Sequence, residues 1–600
     1  MEKLTDKVAG MGAVVSQDAT TFRVWAPNAD TVFVAGTFNE WNKTTHELEK
    51  EENGYWSIAI AEAKAGDEYK YIIHNGELIL DRNDPYAREM TNSNGNSVVT
   101  NLDFEWEDQD FKMKSWNALV IYELHVGTFN RKKDDEVGTF QSIIDKIPYL
   151  QSIGVNCVEL LPIAEFAGGI SWGYNPSYPF AIERDYGGAA EFAKMVNEFH
   201  KADIAVILDV VYNHFGPSDM DLWQFDGWSD NDKGGIYFYN DHRSSTPWGD
   251  TRPDYGREEV RQYIRDNALM WIEEYHCDGL RMDATSYIRY EGGGLGDDTE
   301  IPEGNILMRD INAEIQSKYP GKLTIAEDLK GHTLVTESVE NGGIGYGSQW
   351  DMNFVHPVRK ALIEQGDEYR DLQALIDAIL FQYNNDVFQR VIYTESHDEV
   401  ANGKARVPEE IEPGRADSFF GKKRALLGIA ITLTSPGIPM LFQGQEFIED
   451  EYFKDDEALD WNQLKKHTGI TRMVSDLIKL RTADSQLSDG LRGQYTKIVH
   501  CNDTDKVLAY ARSTSEDFSN STIVLLNLSN NSFTDYSFGL PFANQYHLAF
   551  NSDWSGYDQD FTDMDVDPIA VEAIPYDDET HKGITNLPAY ATLVFLPLNE

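Results

Sequence analysis

Three acidic residues, Asp283, Glu327 and Asp398, each stand at the end of an apolar run that could form a buried strand. Two carboxyl groups about 5 Å apart can break a glycosidic bond with retention, one as an ionised nucleophile and one as a proton donor. Arg281 shares a face with Asp283 on an extended chain and would keep that carboxylate charged. Like charge from the other carboxylates would raise the pKa of Glu327 and keep it protonated. The acids therefore predict retaining glycosidic chemistry, with Asp398 bound to sugar hydroxyls.

Further polar residues accompany these acids at the predicted strand ends. Asp209 ends another apolar run, His214 follows it closely, and His397 precedes Asp398. A single aspartate after a strand is most simply the N-cap of the next helix. Four acid-bearing strand ends, two of them with a histidine, are not explained by capping. We therefore expect these groups to share one site, with His214 and His397 as neutral hydrogen-bond donors.

Bringing these groups together requires a sheet of parallel strands. Apolar runs alternate with helical segments from about residue 115 to 485, a pattern typical of a parallel sheet covered on both faces. Eight such units predict a (β/α)8 barrel, in which catalytic groups lie at the C-terminal ends of strands. A doubly wound open sheet is the alternative, and the lack of a glycine-rich phosphate loop after the first strand disfavours it. The predicted strands are 118–124, 155–161, 205–211, 279–283, 323–327, 348–353, 391–396 and 439–443, and the predicted helices are 139–152, 189–202, 257–275, 305–318 and 419–433.

The remainder of the chain is predicted to be rich in β-strands. Residues 1–105 contain short runs such as Thr21–Trp25, separated by turn residues, which predicts a β-sandwich. Residues 488–600 return to strands such as Ser521–Asn527 and form a predicted all-β domain. The predicted fold is therefore α/β, a TIM barrel over residues 106–487 between two β domains.

The composition excludes several classes of partner. The chain has 101 acidic and 51 basic residues and a net charge of −50, which repels nucleic acids and anionic membrane surfaces and suits a neutral ligand. Its three cysteines are far apart and show neither a metal spacing nor a disulfide framework. No apolar signal core opens the chain and no run approaches a membrane span. We expect a cytoplasmic monomer that does not bind nucleic acid or membranes.

Four motifs resemble those of the α-amylase superfamily, the retaining enzymes that act on α-glucans such as glycogen, starch and maltooligosaccharides. They are Asp209–His214, Gly279–Ala284, Ile325–Glu327 and Ser396–Asp398, in that order along the chain. The resemblance implies Asp283 as nucleophile, Glu327 as acid/base and Asp398 as transition-state stabiliser. It also implies that Tyr174 forms a platform under the sugar, and that Asp209, His214, Arg281 and His397 line the same subsite.

The subtype within this superfamily stays open between several alternatives. The N-terminal segments Phe22–Pro27 and Val34–Asn42 look like a carbohydrate-binding module. The run Ser396–Val400 is similar to that of glycogen or 1,4-α-glucan branching enzymes, whereas Thr246–Asp250 is similar to that of maltooligosyltrehalose trehalohydrolases. We expect a branching enzyme, with a hydrolase of the same superfamily or a non-catalytic glucan-binding protein as alternatives. Asn213 stands where many α-amylases bind calcium, but no metal or other cofactor is predicted.

Overall fold

The computed structural model describes residues 7–133, 136–294, 296, 298–483 and 488–598. They form a central barrel joined to an N-terminal and a C-terminal β-rich domain. The predicted chain ends at 1 and 600, and the last residue of the predicted barrel domain at 487, lie outside the described residues.

Eight parallel strands close the barrel. Each strand pairs in parallel with its neighbours, and the last returns to the first. Every strand residue is buried, as expected where side chains fill the barrel and helices cover it. The (β/α)8 barrel is thereby confirmed, and each strand overlaps a predicted run, with two strands beginning one residue earlier. The strands are β1 (Ile121–Leu124), β2 (Cys157–Leu160), β3 (Ala205–Val210), β4 (Gly279–Met282), β5 (Leu323–Ala326), β6 (Ser348–Trp350), β7 (Arg390–Ile392) and β8 (Ile438–Phe442).

Amphipathic helices surround the strands. The helix Gly188–Lys201, for example, buries Phe192, Val196 and Phe199 against the sheet and leaves its charged side to solvent. The five predicted helical segments are all helical, the first as two helices separated by Asp145 and Lys146. The α-helices in chain order are Val126–Phe129, Phe140–Ile144, Ile147–Ile153, Gly188–Lys201, Glu258–Glu273, Thr285–Arg289, Pro302–Lys318, Thr333–Thr336, Met352–Ile363, Leu372–Leu380, Val407–Ile411, Phe419–Thr434, Trp461–Lys466 and Thr468–Thr482.

The helix Phe419–Thr434 is buried around its whole circumference: all but its first two residues are buried, including the charged run Lys422–Arg424. A helix that is buried on every side must be covered by neighbouring elements on both sides. The barrel covers one side, and the C-terminal domain covers the other, where Lys423 Nζ lies 2.7 Å from Asp553 Oδ1. The C-terminal domain is therefore packed onto the barrel as part of one core.

The two flanking domains are sandwiches of antiparallel sheets. In the N-terminal domain, the Asn28 backbone and side-chain amides both donate to Asp226 of the barrel at 2.9 Å, which fixes the domain to a barrel loop. Its sheets contain Gly12–Val15, Thr20–Trp25, Glu49–Lys50 and Tyr55–Ile60, and Thr31–Gly36, Glu68–Asn75, Leu78–Arg82 and Ser97–Val98. The C-terminal sheets contain Tyr495–Asn502, Val507–Ser513, Thr522–Asn527, Tyr546–Asn551 and Thr592–Pro597, and Phe533–Leu540, Ala570–Glu572 and His581–Leu587. Among the described residues, no helix is long and apolar enough to cross a bilayer.

Candidate active site

The predicted acids meet at the C-terminal rim of the barrel. Asp283 directly follows β4, Glu327 directly follows β5, and Asp398 lies on the segment after β7. All three line a cleft of about 570 Å³. Parallel strands end on the same side of a barrel, so the fold brings together residues that are far apart in the chain. The predicted residues Tyr174, His214 and His397 line the same cleft.

Arg281 lies at the centre of the site and is fully buried. Its Nη1 donates to Asp209 Oδ2 at 2.5 Å and to Asp283 Oδ1 at 3.1 Å. Its Nη2 lies 3.0 Å from Glu327 Oε2 as an ion pair, without the alignment of a hydrogen bond. One guanidinium thus holds three acids as close neighbours, which suits the separation of about 5 Å that retention requires.

Asp283 is held from two sides. Besides Arg281, the amide of Asn213 donates to Asp283 Oδ2 at 2.7 Å and to its backbone carbonyl at 3.0 Å. The hydrogen bonds from Arg281 and Asn213 reach different oxygens of the Asp283 carboxylate and hold it in one rotamer.

Glu327 is kept protonated chiefly by its burial. Burial raises its pKa well above the usual value, Arg281 opposes this, and the charges of Asp283 and Asp398 raise the pKa further. Like charge, the cause expected from the sequence, is therefore the smaller contribution. The Ala284 amide donates to Glu327 Oε2 at 2.7 Å, which leaves Oε1 as the oxygen that carries the proton.

Asp209 and Arg281 lie beneath the cleft and are not among the residues that line it. Asp209 is buried, and its Oδ2 accepts a hydrogen bond from the Tyr174 hydroxyl at 2.5 Å. Burial raises the pKa of Asp209 to about 7, against the opposing effect of Arg281. In this position Asp209 holds Tyr174 in place. Asp209 and Arg281 therefore act on a ligand through the residues that line the cleft.

His397 differs from the neutral donor expected from the sequence. Burial alone would lower its pKa, but the charges of Asp398 and Glu123 outweigh burial and raise the pKa to about 9. The ring is therefore an imidazolium at neutral pH. It stacks on Tyr174 with ring centroids 5.0 Å apart, and its Nε2 lies 3.5 Å from Asp398 Oδ2. Asp398 itself keeps 44% of its side chain exposed to the cleft.

His214 does match the expected neutral form, because burial lowers its pKa. Its Nε2 donates to the Tyr174 carbonyl at 2.8 Å, and its ring stacks on Trp248 with centroids 4.6 Å apart. Trp248 and Tyr287 extend the aromatic wall of the cleft beyond His214. Neither was selected as a site residue from the sequence, because both lie outside the strand-end motifs.

The site contains no preformed cage for a metal ion among the described residues: no three His, Cys, Asp or Glu side chains there are arranged to hold one. Asn213, at the position where calcium binding was considered, uses its amide nitrogen for Asp283 and contacts His214 Nδ1 through its oxygen. Its side chain is thus occupied within the protein. The predicted lack of a metal stays a prediction.

A larger cavity of about 870 Å³ lies at the opposite end of the barrel. Several of its ionisable residues pair with one another: His200 contacts Asp108 at 2.9 Å and Asp278 at 2.8 Å, and Lys322 contacts Asp278 at 2.9 Å. The pair between His200 and Asp108 joins the segment before β1 to the barrel. Asp283 and Glu327, two acids in different environments, line the cleft at the C-terminal rim. That cleft is therefore the candidate active site.

Family models match each of the three domains. Residues 10–87 match carbohydrate-binding module 48, the isoamylase N-terminal domain. Residues 123–242 and 217–486 match the alpha amylase catalytic domain. Residues 498–597 match the alpha amylase C-terminal all-beta domain.

Similar proteins align along most of the chain. A 1,4-alpha-glucan branching enzyme GlgB from Pseudoalteromonas atlantica is 30% identical over 96% of this chain and 81% of its own length. That of Bacillus cytotoxicus is 32% identical over 89% and 84%. A putative alpha amylase from Salmonella typhimurium has a similar structure, with a TM-score of 0.74 at 20% identity over 98% of this chain and 100% of its own. A pullulanase from Anoxybacillus, complexed with maltotetraose, has a TM-score of 0.75 at 21% identity over 99% and 88%.

Proposed function

This chain belongs to the α-amylase family, and we propose that within it the chain is a 1,4-α-glucan branching enzyme. It would cleave α-1,4 bonds with retention and form α-1,6 branches. The proposal of branching is supported by the similarity to branching enzymes, which extends over 96% of the chain at 30% identity. The solved structures are too distant in sequence to bear on the reaction and support the fold alone.

The cleavage step assigns separate roles to Asp283 and Glu327. An ionised oxygen of Asp283 attacks the anomeric carbon and forms an ester, while Glu327 gives its proton to the departing 4-oxygen. The environments described above support these roles: Asp283 accepts two side-chain hydrogen bonds at 3.1 and 2.7 Å, whereas burial keeps the proton on Glu327. Asp398 and the His397 imidazolium would bind hydroxyls of the sugar as it distorts.

The transfer step returns the same groups to their starting states. Glu327, now a carboxylate, takes the proton from a 6-hydroxyl of an acceptor glucan. The oxygen of that hydroxyl attacks the anomeric carbon and releases Asp283 as a carboxylate. The acceptor must be bound while water is excluded. Exposed aromatic faces suit this task, and Trp248, with 41% of its surface exposed, provides one beside His214.

A product assay separates this proposal from its alternatives. Purified protein is incubated with amylose, and both reducing ends and α-1,6 linkages are counted. New α-1,6 linkages without a net gain in reducing ends are expected. A gain in reducing ends alone would contradict branching and favour a hydrolase of the same family. If neither product forms, the chain is a glucan-binding protein without catalysis. Asp283→Asn serves as the inactive control.

We propose that the substrate is a glycogen-like glucan and that the chain acts as a cytoplasmic monomer without a metal. The net charge of −50 suits a neutral polymer, and three unpaired cysteines suit a reducing compartment. Cell fractionation tests the location, light scattering tests the oligomeric state, and activity after dialysis against a chelator tests the need for a metal.

A further inference from the structure

Glu123 is a buried acid that none of the strand-end motifs includes. It lies in β1, inside the barrel, with 1% of its surface exposed. Its Oε1 lies 2.5 Å from His397 Nδ1, and its Oε2 accepts a hydrogen bond from the His397 backbone amide at 3.2 Å. One carboxylate therefore holds both the ring and the backbone of the residue directly before Asp398.

These contacts determine which way the His397 ring faces. With Nδ1–H donating to Glu123, the Nε2–H points away from the barrel interior, toward Asp398 at 3.5 Å and the cleft. The ring plane lies 24° from that of Tyr174, so it is also fixed from the side. The His397 ring thus has one orientation and one free donor.

We propose that Glu123 is a positioning residue of the active site, which holds His397 as a cation with its Nε2–H presented to the sugar and to Asp398. Glu123 does not touch the substrate and acts only through His397. The proposal rests on the proposed glucan chemistry for the role of that donor, but the orientation and charge of the ring can be measured without any reaction.

The charges around His397 support a cation at this position. Glu123 on β1 and Asp398 raise the pKa of the ring to about 9 against the effect of burial, while Arg281 on β4 lowers it. Glu159 on β2 is paired in register with Glu123, and burial followed by the charge of Glu123 raises its pKa well above the usual value. Glu159 is therefore neutral, and the charges that raise the pKa of His397 come from Asp398 and Glu123. His125, which follows β1, is also neutral, since burial lowers its pKa to about 3.

The first test observes the ring directly. Histidine-labelled protein is titrated by NMR in the absence of substrate, and His397 is assigned by the signal that His397→Gln removes. In the wild type, the His397 ring is expected to stay protonated between about pH 6 and pH 8. In Glu123→Gln, which keeps the shape but not the charge, it should titrate near the ordinary histidine value of about 6.5. A wild-type His397 that titrates near 6.5 overturns the proposal, even where the variant does not fold.

The second test measures glucan cleavage, counted as all bonds broken so that transfer and hydrolysis both register. Glu123→Gln is expected to lower kcat by about 100-fold at pH 8, the size of effect typical of a misplaced catalytic group. The loss relative to wild type should shrink at pH 6, where His397 regains its proton. The matched control is Glu159→Gln, which removes an equally buried acid that is already neutral and should keep the wild-type profile. A loss that is the same at both pH values, or no loss, contradicts the proposal.

Discussion

At the scale of single residues, the site depends on Arg281, because three acids share contact with its one positive charge. It contacts Asp209, Asp283 and Glu327, whose chemistry requires different protonation states. Asp283 receives a further hydrogen bond from the Asn213 amide at its second carboxylate oxygen. Glu327 receives only a backbone amide and an unaligned ion pair, so burial prevails and it keeps its proton. Unequal hydrogen bonding and burial around one cation thus distinguish the proposed nucleophile from the proposed acid.

Glu327→Gln tests whether this acid is protonated in the resting protein. An acid whose pKa is higher in the folded than in the unfolded protein makes its full contribution to the unfolding free energy below the unfolded pKa of 4.5. That contribution is lost as the pH rises toward the folded pKa. Glutamine has no proton to lose. The unfolding free energy of the variant should therefore decline less steeply above pH 4.5 than that of the wild type, by up to about 1.4 kcal/mol per pH unit.

Thermal melts of both proteins across this pH range provide the measurement. Glu340→Gln, at an exposed position, is the control and should follow the wild type. Parallel curves for wild type and Glu327→Gln would show that Glu327 is already ionised in the folded protein.

The types of these residues could be predicted from the sequence, but their environments could not. Asp283, Glu327 and Asp398 stand out because each follows an apolar run. The degree of burial of Glu327 and the contact between His397 and Glu123 depend on atoms from several strands. Asp209 and Arg281 were expected to line the cleft, whereas the side chains above them separate them from it. The burial of a polar residue at a strand end is a tertiary property that local sequence does not encode.

At the scale of elements, the barrel strands were predictable because most are short, largely apolar runs that alternate with helical segments. Loops have no comparable pattern, and the aromatic wall of the cleft shows the consequence. Trp248 lies on the loop after His242–Ser244, and only the fold brings it against His214 with ring centroids 4.6 Å apart. The helix Phe419–Thr434 was predicted as a barrel helix, but its second covered face could be explained only once the C-terminal domain was in place.

Trp248→Ala tests the contribution of this loop to glucan binding. Removing an aromatic face that stacks on a sugar should raise KM for a maltooligosaccharide by about tenfold, or about 1.4 kcal/mol, with a smaller effect on kcat. Steady-state kinetics over a range of substrate concentrations measure both. Trp554→Ala in the C-terminal domain removes a tryptophan that is similarly exposed, 38% against 41%, and should leave KM unchanged. An unchanged KM in Trp248→Ala would place the sugar elsewhere.

At the scale of the whole molecule, the C-terminal domain completes the core of the barrel. Lys423 and Asp553 form an ion pair across this contact, and each side chain is only 1% exposed. Removing one partner of a buried ion pair strongly destabilises the fold, because the other charge stays buried without compensation.

Asp553→Asn is therefore expected to lower the unfolding free energy by about 3–5 kcal/mol. Denaturant unfolding followed by fluorescence measures the change. The control is Glu49→Gln, which breaks the exposed pair between Lys7 and Glu49, with side chains 29% and 75% exposed, and should cost less than about 1 kcal/mol. Equal effects of the two variants would mean that the domain contact does not depend on this buried pair.

If Asp283 is the nucleophile, it forms a covalent glycosyl ester with the glucan, and that ester can be trapped. In Glu327→Gln, α-maltosyl fluoride can still react because fluoride leaves without a proton, whereas the ester persists for lack of a general base. Intact-protein and peptide mass spectrometry should find one added maltosyl group on the peptide that contains Asp283, and none when Asp283→Asn is added. A label on another residue, or release of fluoride with an inverted product and no label, would exclude Asp283 as the nucleophile.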